Sequence, residues 1–355
     1  MSAAISENEA ARFAAQRLAF APLMFQACRS LRDLGILEQL SLARRSGVTA
    51  SEVVARGVVS PYAAALLLEA GLASGLCTCQ DVTPEPRFFI TPMGVYWLRD
   101  KLTRVNAEFN HHVCYTGAFS LRDALLEGRP AGLPAIDATG ASTEYEALKS
   151  LPAHVTKAWF EFDHYYSDGV FEACLPRVRQ PGVRHVADIG GNTGRFATLC
   201  LDEGVERMTL VDLPGQLAVA RENLARFDGR VTYAPADLLD PQATLPEGAD
   251  VYWLSQFLDC FGEDEIRSIL ARVRAAMRPD STVFILETFW NLQQHEAARF
   301  CVIGTSLYFA CMANGNSRMY HSEVMKRLAH EAGLVVTEEV RQVGLSHTLL
   351  VLRSG

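Results

Sequence analysis

Asp188 stands in a short apolar run, Val186-Ala187-Asp188-Ile189, that passes at once into Gly190-Gly191-Asn192-Thr193-Gly194. Residue types in that order make a strand that turns to cradle a nucleotide. Glycine reaches positive φ at little cost and lets the backbone come close to a ligand, and asparagine is one of the few other residues that tolerates the left-handed region. The amphipathic stretch from Arg195 to Leu201 follows, and its first amides would face whatever lies over the turn. A second acid, Asp212, closes Met208-Thr209-Leu210-Val211, 24 positions after Asp188. About that spacing brings a carboxylate to the ribose hydroxyls of a bound nucleoside. The spacing does not separate an adenine dinucleotide from S-adenosylmethionine, but the glycines at 190, 191 and 194 give G-G-x-x-G rather than the G-x-G-x-x-G of a pyrophosphate binder. That pattern favours the sulfonium nucleoside.

Further polar residues follow other apolar runs. Asp237, in Ala236-Asp237-Leu238, is placed to accept from the exocyclic amine of adenine; Ser255-Gln256 and Glu287 end two later runs. Any one such acid could be a helix cap, yet a series of them across successive strand ends is harder to assign to capping. Asp259 is a different case. It lies between Leu258 and Phe261, where partial desolvation would raise its pKa and suit it to general-base work; the other reading is a turn former. Glu263, Asp264 and Glu265 suit the first turn of the amphipathic helix that runs to Met277.

These residues need a scaffold that brings strand ends together. From Val186 onward, strand patterns alternate with helical ones: 186–189, 208–211, 231–234, 251–255, 283–286, then the pair 335–340 and 348–352. This predicts an α/β, doubly wound, Rossmann-like sheet with an antiparallel edge, its ligands at the carboxyl ends of the strands. Upstream, the pattern is helical from about Glu9 to Leu40. A capped short helix is expected at Thr49–Val54, another from Ser60 to about Ala70, and a hairpin from Cys77–Cys79 and Phe88–Ile90 around Pro84 and Pro86. Helices followed by a hairpin make a winged helix. Residues 127–143, rich in Gly, Pro and Ala, read as a loop, and Trp159, Phe160, Phe162, Tyr165 and Tyr166 crowd one helix. The expected parts are a mostly helical winged-helix dimerisation domain over 1–105, helical linker and acceptor-pocket helices over 106–180, and the ligand-binding sheet over 181–355.

Composition narrows the function classes. In 355 residues the net charge is −8, and residues 1–100 hold nine Arg, no Lys and nine acids. No basic stripe offers itself to nucleic acid. No run approaches the roughly 20 apolar residues of a membrane span, and Met1–Ala10 lacks a signal-peptide pattern. Nine scattered cysteines without paired C-x-x-C spacing argue against a structural metal and for a reducing cytoplasm.

With these motifs the chain resembles the class I S-adenosylmethionine-dependent O-methyltransferases of the small-molecule type, the group of caffeic acid and hydroxyindole O-methyltransferases and many bacterial natural-product enzymes. The resemblance rests on the Asp188–Gly194 turn, Leu125-Leu126-Glu127-Gly128-Arg129-Pro130, Val211-Asp212-Leu213-Pro214, Ala236-Asp237-Leu238 and Ala276-Met277-Arg278-Pro279. It implies a homodimer formed through the N-terminal domain. It also implies S-adenosylmethionine contacts at Asp188, Gly190, Gly191, Gly194, Asp212, Leu213, Asp237, Leu238, Ser255 and Gln256. Two departures stand out. The family's catalytic His-Asp-Trp is Asp259-Cys260-Phe261 here, and its lysine before that segment is Ser255. Glu287, where the family has an acid orienting the His, would instead pair with Asp259 and raise its pKa. His321 is either a replacement base or a helix N-terminal histidine. The acceptor, a small aromatic phenol or polyketide-like compound, would lie among Phe162, Tyr166, Phe300, Ile303, Leu307, Tyr308 and Met312. Methylation at oxygen or at a ring carbon both stay open, as do a repurposed scaffold of decarboxylase or hydroxylase type and a ligand-sensing regulator.

Overall fold

The computed structural model describes residues 6–81, 85–148 and 150–355; Met1–Ile5 and Pro84, which figured in the sequence expectations, lie outside them. The chain divides into two compact units, Met1–Ala107 and Glu108–Gly355.

The first unit contains α1 (Glu7–Ala19), α2 (Ala21–Asp33), α3 (Ile36–Ala43), α4 (Ala50–Val54), α5 (Pro61–Ser74), the hairpin β1 (Cys77–Gln80) and β2 (Arg87–Ile90), and α6 (Pro92–Arg99). The expected helical stretch from Glu9 to Leu40 is thus three helices. Pro22 sits in the first turn of α2, and Gly35, at φ +72°, breaks the chain before α3. Thr49 caps α4 with a reciprocal Glu52 bond, and Gly75, at φ +86°, ends α5 a turn later than expected. Leu31, Ile36, Leu37, Leu40, Leu68 and Phe88 form the core. A bridge from Val48 to Phe88 ties the hairpin to the segment before α4. Helices plus hairpin are the winged-helix arrangement. α1 buries no side chain at all.

The second unit begins within α7 (Lys101–Phe109) and continues through α8 (Leu121–Glu127), α9 (Glu144–Ala147) and the long α10 (Ala153–Val178). Then come β3 (His185–Ile189), α11 (Arg195–Asp202), β4 (Arg207–Asp212), α12 (Pro214–Asn223), β5 (Val231–Pro235), β6 (Val251–Ser255), α13 (Glu263–Ala276), β7 (Thr282–Glu287), α14 (Glu296–Tyr308), α15 (Ser322–Glu331), β8 (Leu334–Val343) and β9 (His347–Ser354). The sheet order is β5-β4-β3-β6-β7-β9-β8, parallel from β5 to β7, with β9 and β8 antiparallel. Buried on both faces, the central strands are largely apolar, and period-two alternation splits them between two cores. Ala187, Ile189, Tyr252, Leu254, Val283 and Ile285 pack toward α13 and α15. Val186, Met208, Leu210, Trp253, Phe284 and Leu286 pack toward α10, α11 and α12. The order of strands reverses between β3 and β6, so the chain must leave a crevice there, above the carboxyl ends.

A third core shows that 127–143 is no free loop. Leu133, Ile136 and Ala138 are buried with Val113, Leu148, Trp159 and Met312. Met312 is fully buried against Gly117 and Gly132, which is where a larger residue would collide: a Cβ at Gly132 would lie 2.5 Å from Met312 Sδ and 2.9 Å from the Cys311 carbonyl oxygen. Glu144, at the start of α9, is also fully buried; burial pushes its pKa up to about 8, against the lowering effect of the Tyr308 hydroxyl.

Two measurements follow. Gly132→Ala overpacks this core and lowers stability by about 1–3 kcal/mol, read as a thermal midpoint lower by about 2–4 °C per kcal/mol. For Glu144, the unfolded chain ionises near its ordinary 4.5 while the fold keeps it protonated to about 8, so stability falls as pH rises across that window. Glu144→Gln removes the penalty: its unfolding free energy matches the parent's at about pH 4.5 and exceeds it at pH 8 by an amount on the order of a few kcal/mol, measured by denaturant unfolding at both pH values.

Candidate active site

Above the β3/β6 reversal lie two adjoining cavities of about 320 and 80 Å³ that share Asp163, Gly190, Asn192 and Gln256 in their walls. The turn after β3 is built as its residue types required. Gly190, Asn192 and Gly194 take φ values of +77°, +47° and +82°. Their glycines are demanded by protein neighbours: a Cβ at Gly190 would lie 2.2 Å from the Phe257 ring, and one at Gly194 would lie 2.7 Å from Leu224 Cδ1. At Gly191 a Cβ would sit 3.2 Å from Asp188 Oδ2, so this glycine keeps a side chain from pressing on that carboxyl oxygen. Gly194 itself lines neither cavity and instead starts α11.

Asp188 lines the smaller cavity; its Oδ2 is buried without a partner, and burial, then the charge of Asp212, push its pKa up to about 8. Asp212 lines the larger one and takes its shape from two amides: Asn192 N donates to Oδ2 at 2.8 Å and Leu213 N to Oδ1 at 2.7 Å. Leu213, Asp237 and Leu238 line the same cavity, Asp237 exposed and accepting from Leu239 N at 2.9 Å. Ser255 and Gln256 follow β6. The Ser255 hydroxyl is buried without a partner, as is the Trp253 indole N–H beside it, and Gln256 holds φ +48°. A non-glycine residue at positive φ stores strain of about 1–3 kcal/mol and is met most often at functional sites. The unpartnered carboxyl, with a glycine where a side chain would press on it, the hydroxyl and the indole N–H are the donor set an amino acid nucleoside needs, so the residues fit S-adenosylmethionine.

Asp259 sits in a single turn, Leu258–Cys260, is 6% exposed and lines the larger cavity. Burial above all, and then the charge of Asp163, bring its pKa to about 7; the Cys260 thiol, 3.6 Å away, lowers it. Two acids act on Asp259: Glu287, as expected, and Asp163 on α10, which lines both cavities and is itself pushed up to about 6 by burial and Asp168. Glu287 also has a second job. Its Oε1 accepts from Phe257 N at 3.0 Å and Leu258 N at 2.8 Å, its Oε2 is buried unpartnered, and burial followed by the Asp259 charge raises it well above the carboxylate range. Glu287 lines neither cavity and fixes the turn that carries Asp259.

His321 is corrected from the catalytic set. It caps α15 by accepting from Glu323 N at 3.1 Å on Nδ1, packs edge-on against Trp290 and lines neither cavity. The acceptor wall is also smaller than expected. Phe162, Tyr166 and Tyr308 line the larger cavity, but Phe300, Ile303 and Leu307 lie on the outer face of α14, 79, 47 and 53% exposed, and Met312 is buried elsewhere. A π-helical turn, Phe309–Ala313, carries the chain on from α14 and shifts its register. Sequence reasoning passed over Asp163, Tyr145 and Asn314. Tyr145 donates to Cys260 Sγ at 3.1 Å, and the Asn314 amide donates to the Cys260 carbonyl. An acid inside an aromatic helix, Phe162-Asp163-His164-Tyr165-Tyr166, was the signal available for the first.

Comparison with known proteins gives the same picture. Residues 12–84 match a Dimerisation2-like domain, and residues 120–335, more than half of the chain, match an O-methyltransferase domain. Demethylspheroidene O-methyltransferase of Rhodobacter capsulatus is 30% identical over 159 residues, 44% of this chain and 38% of that protein. Aclacinomycin 10-hydroxylase of Streptomyces purpurascens is 31% identical over 175 residues, 48% and 45%. These matches span less than half the length of either relative. In fold, the chain is similar to the apo structure of the S-adenosylmethionine-dependent methyltransferase SibL, with a TM-score of 0.68 at 22% identity over 96% of this chain and 98% of that one. Among the described residues no helix is long and apolar enough to cross a membrane. The protein belongs to the O-methyltransferase domain family, and its N-terminal unit is of the dimerisation type.

Proposed function

We propose that the protein is an S-adenosylmethionine-dependent methyltransferase acting on a small aromatic hydroxy compound, with Asp259 as the general base. The observation that carries this reading is the Asp259 carboxyl itself, ionisable near neutrality in an aromatic-walled cavity that is continuous with the strand-end acids. S-adenosylmethionine, when bound, supplies a methyl group made electrophilic by its sulfonium. What remains for the protein is to hold, orient and deprotonate an acceptor. Asp188 and Ser255 would meet the amino acid end, Asp212 the ribose, and Asp237 with Leu213 and Leu238 the adenine, while Gly190, Gly191 and Gln256 keep backbone against it. Phe162, Tyr166 and Tyr308 would hold the flat acceptor, and the ionised Asp259 would take its phenolic proton. Glu287 acts as a positioning residue through the two amides it fixes. A phenolate carries charge on oxygen and on its ortho carbons; the names of the relatives favour oxygen, and carbon remains the second position to examine.

One observation favours a second reading, a repurposed scaffold that keeps the cofactor site: a relative named as a hydroxylase, in a chain whose expected His-Asp-Trp is Asp259-Cys260-Phe261. The homodimer belongs to the first reading, supported by the dimerisation-type unit and by the exposed Phe13, Leu18 and Leu23 of α1 and α2. A reducing cytoplasm is supported by nine unpaired cysteines.

The test is labelled-methyl transfer from S-adenosylmethionine to a panel of phenols. In the parent protein the rate rises with pH through about 7, as Asp259 ionises, and then levels. In Asp259→Asn the rate falls by about 10²–10⁴ and loses that inflection. Undiminished transfer in the variant removes Asp259 as base, whereas binding of the cofactor without transfer to any phenol favours the repurposed scaffold.

A further inference from the structure

The smaller cavity differs from the larger in holding a cation. Its charged lining is Asp163 from α10, Asp188 in β3 and Arg195 in the first turn of α11, whereas among the described residues no lysine, arginine or histidine lines the larger. Arg195 ties two helices together beside this space: one guanidinium N–H goes to Asp168 Oδ2 and another to His164 Nδ1 at 3.3 Å, both on α10. A guanidinium carries several N–H donors in a fixed fork, so this clasp holds the group in place and leaves donors for a ligand. Asp168 lines neither cavity and serves only to orient it. The Trp253 ring stacks at 4.2 Å on Phe196, the residue after Arg195, and its fully buried indole N–H has no partner. An indole N–H can only donate. The acids supply the complementary chemistry. Asp163 is half-buried and stands where the two cavities meet, since it lines both, while Arg195 and Trp253 line the smaller one alone.

A donor fork inside the cavity and a carboxyl group at its junction suit a ligand that carries both charges. Hydrogen bonds to charged groups are roughly twice as strong as neutral ones, and the planar guanidinium matches the edge of a carboxylate. Resting on the methyltransferase reading, we propose that Arg195 and Asp163 read the two charges of the cofactor's amino acid end, Arg195 with the Trp253 N–H taking its carboxylate and Asp163 its ammonium. The protein then selects an intact zwitterion and not the nucleoside alone. Asp188 and Ser255, whose buried polar atoms face the same space, add hydrogen bonds to that end without deciding between its charges.

Three ligands test this, titrated calorimetrically at pH 7.5 into full-length protein: S-adenosylhomocysteine, 5′-S-(3-aminopropyl)-5′-thioadenosine, which lacks only its carboxylate, and 5′-S-(3-carboxypropyl)-5′-thioadenosine, which lacks only its ammonium. The parent binds each truncated ligand about tenfold or more weaker than S-adenosylhomocysteine. In Arg195→Gln the aminopropyl compound comes within about threefold of S-adenosylhomocysteine while the carboxypropyl gap stays; in Asp163→Asn the carboxypropyl compound comes within about threefold and the aminopropyl gap stays. A parent that binds either truncated ligand as tightly as the whole, a variant that weakens all three alike, as a merely structural role does, or a variant that leaves both gaps as they were overturns the inference. Failure of S-adenosylhomocysteine to bind the parent removes the methyltransferase reading beneath this one, while its binding without either gap removes this inference alone.

Discussion

A buried carboxyl oxygen that collects two amides organises the whole site. Glu287, at the end of β7, accepts from Phe257 and Leu258, and so takes up two N–H groups at the point where the chain leaves β6 and can no longer use the sheet ladder. Everything near the chemistry follows from where that turn is held. The Phe257 ring is set against Gly190 so closely that no side chain fits there, which couples the turn after β3 to the turn after β6. Asp259 is then presented on a single helical turn whose other side is fastened by Tyr145 and Asn314 to Cys260. The positive φ of Gln256 is the local strain this arrangement tolerates.

Charge is the second organising element, and it runs one way. Asp188, Asp163, Asp259, Glu287 and Glu144 are all pushed upward, in each case by burial first. Such a set destabilises the fold near neutrality, and its members keep their ionisation close at hand for a ligand or a proton.

The parallel sheet was legible because strands buried in a sheet are largely apolar, and the five runs from Val186 to Leu286 are, apart from Asp188, Thr209, Thr232 and Ser255. The acids after those strands were legible for the same reason, each being a polar residue where the apolar run stops. What escaped were contacts made across the sequence. Asp163 belongs to a helix whose neighbours are aromatic, and nothing local says that it faces Asp259, nearly a hundred residues on. Phe300, Ile303 and Leu307 read as a pocket stripe because apolar spacing marks a helix face without saying what covers it. Met312 was misread for a subtler reason: the π-helical turn after Tyr308 adds a residue to the turn, so the two no longer share a face as α-helical spacing implies. The segment 127–143 looked like a loop by composition, yet close approach to Met312 is what Gly132 is for.

α1 raises a matter of a different kind. It has a capping box at Ser6 and Glu9 and an arginine in its last turn, every local device for helix formation, but none of its side chains is buried, and a helix of thirteen residues standing alone in water is marginal. Its order has to be lent by a surface that the single chain does not supply. In the homodimer proposed here that surface is another copy, and the helicity of this one segment becomes a quantity set by mass action: complete where the protein is abundant, frayed where it is scarce, while the sheet and its crevice remain as they are.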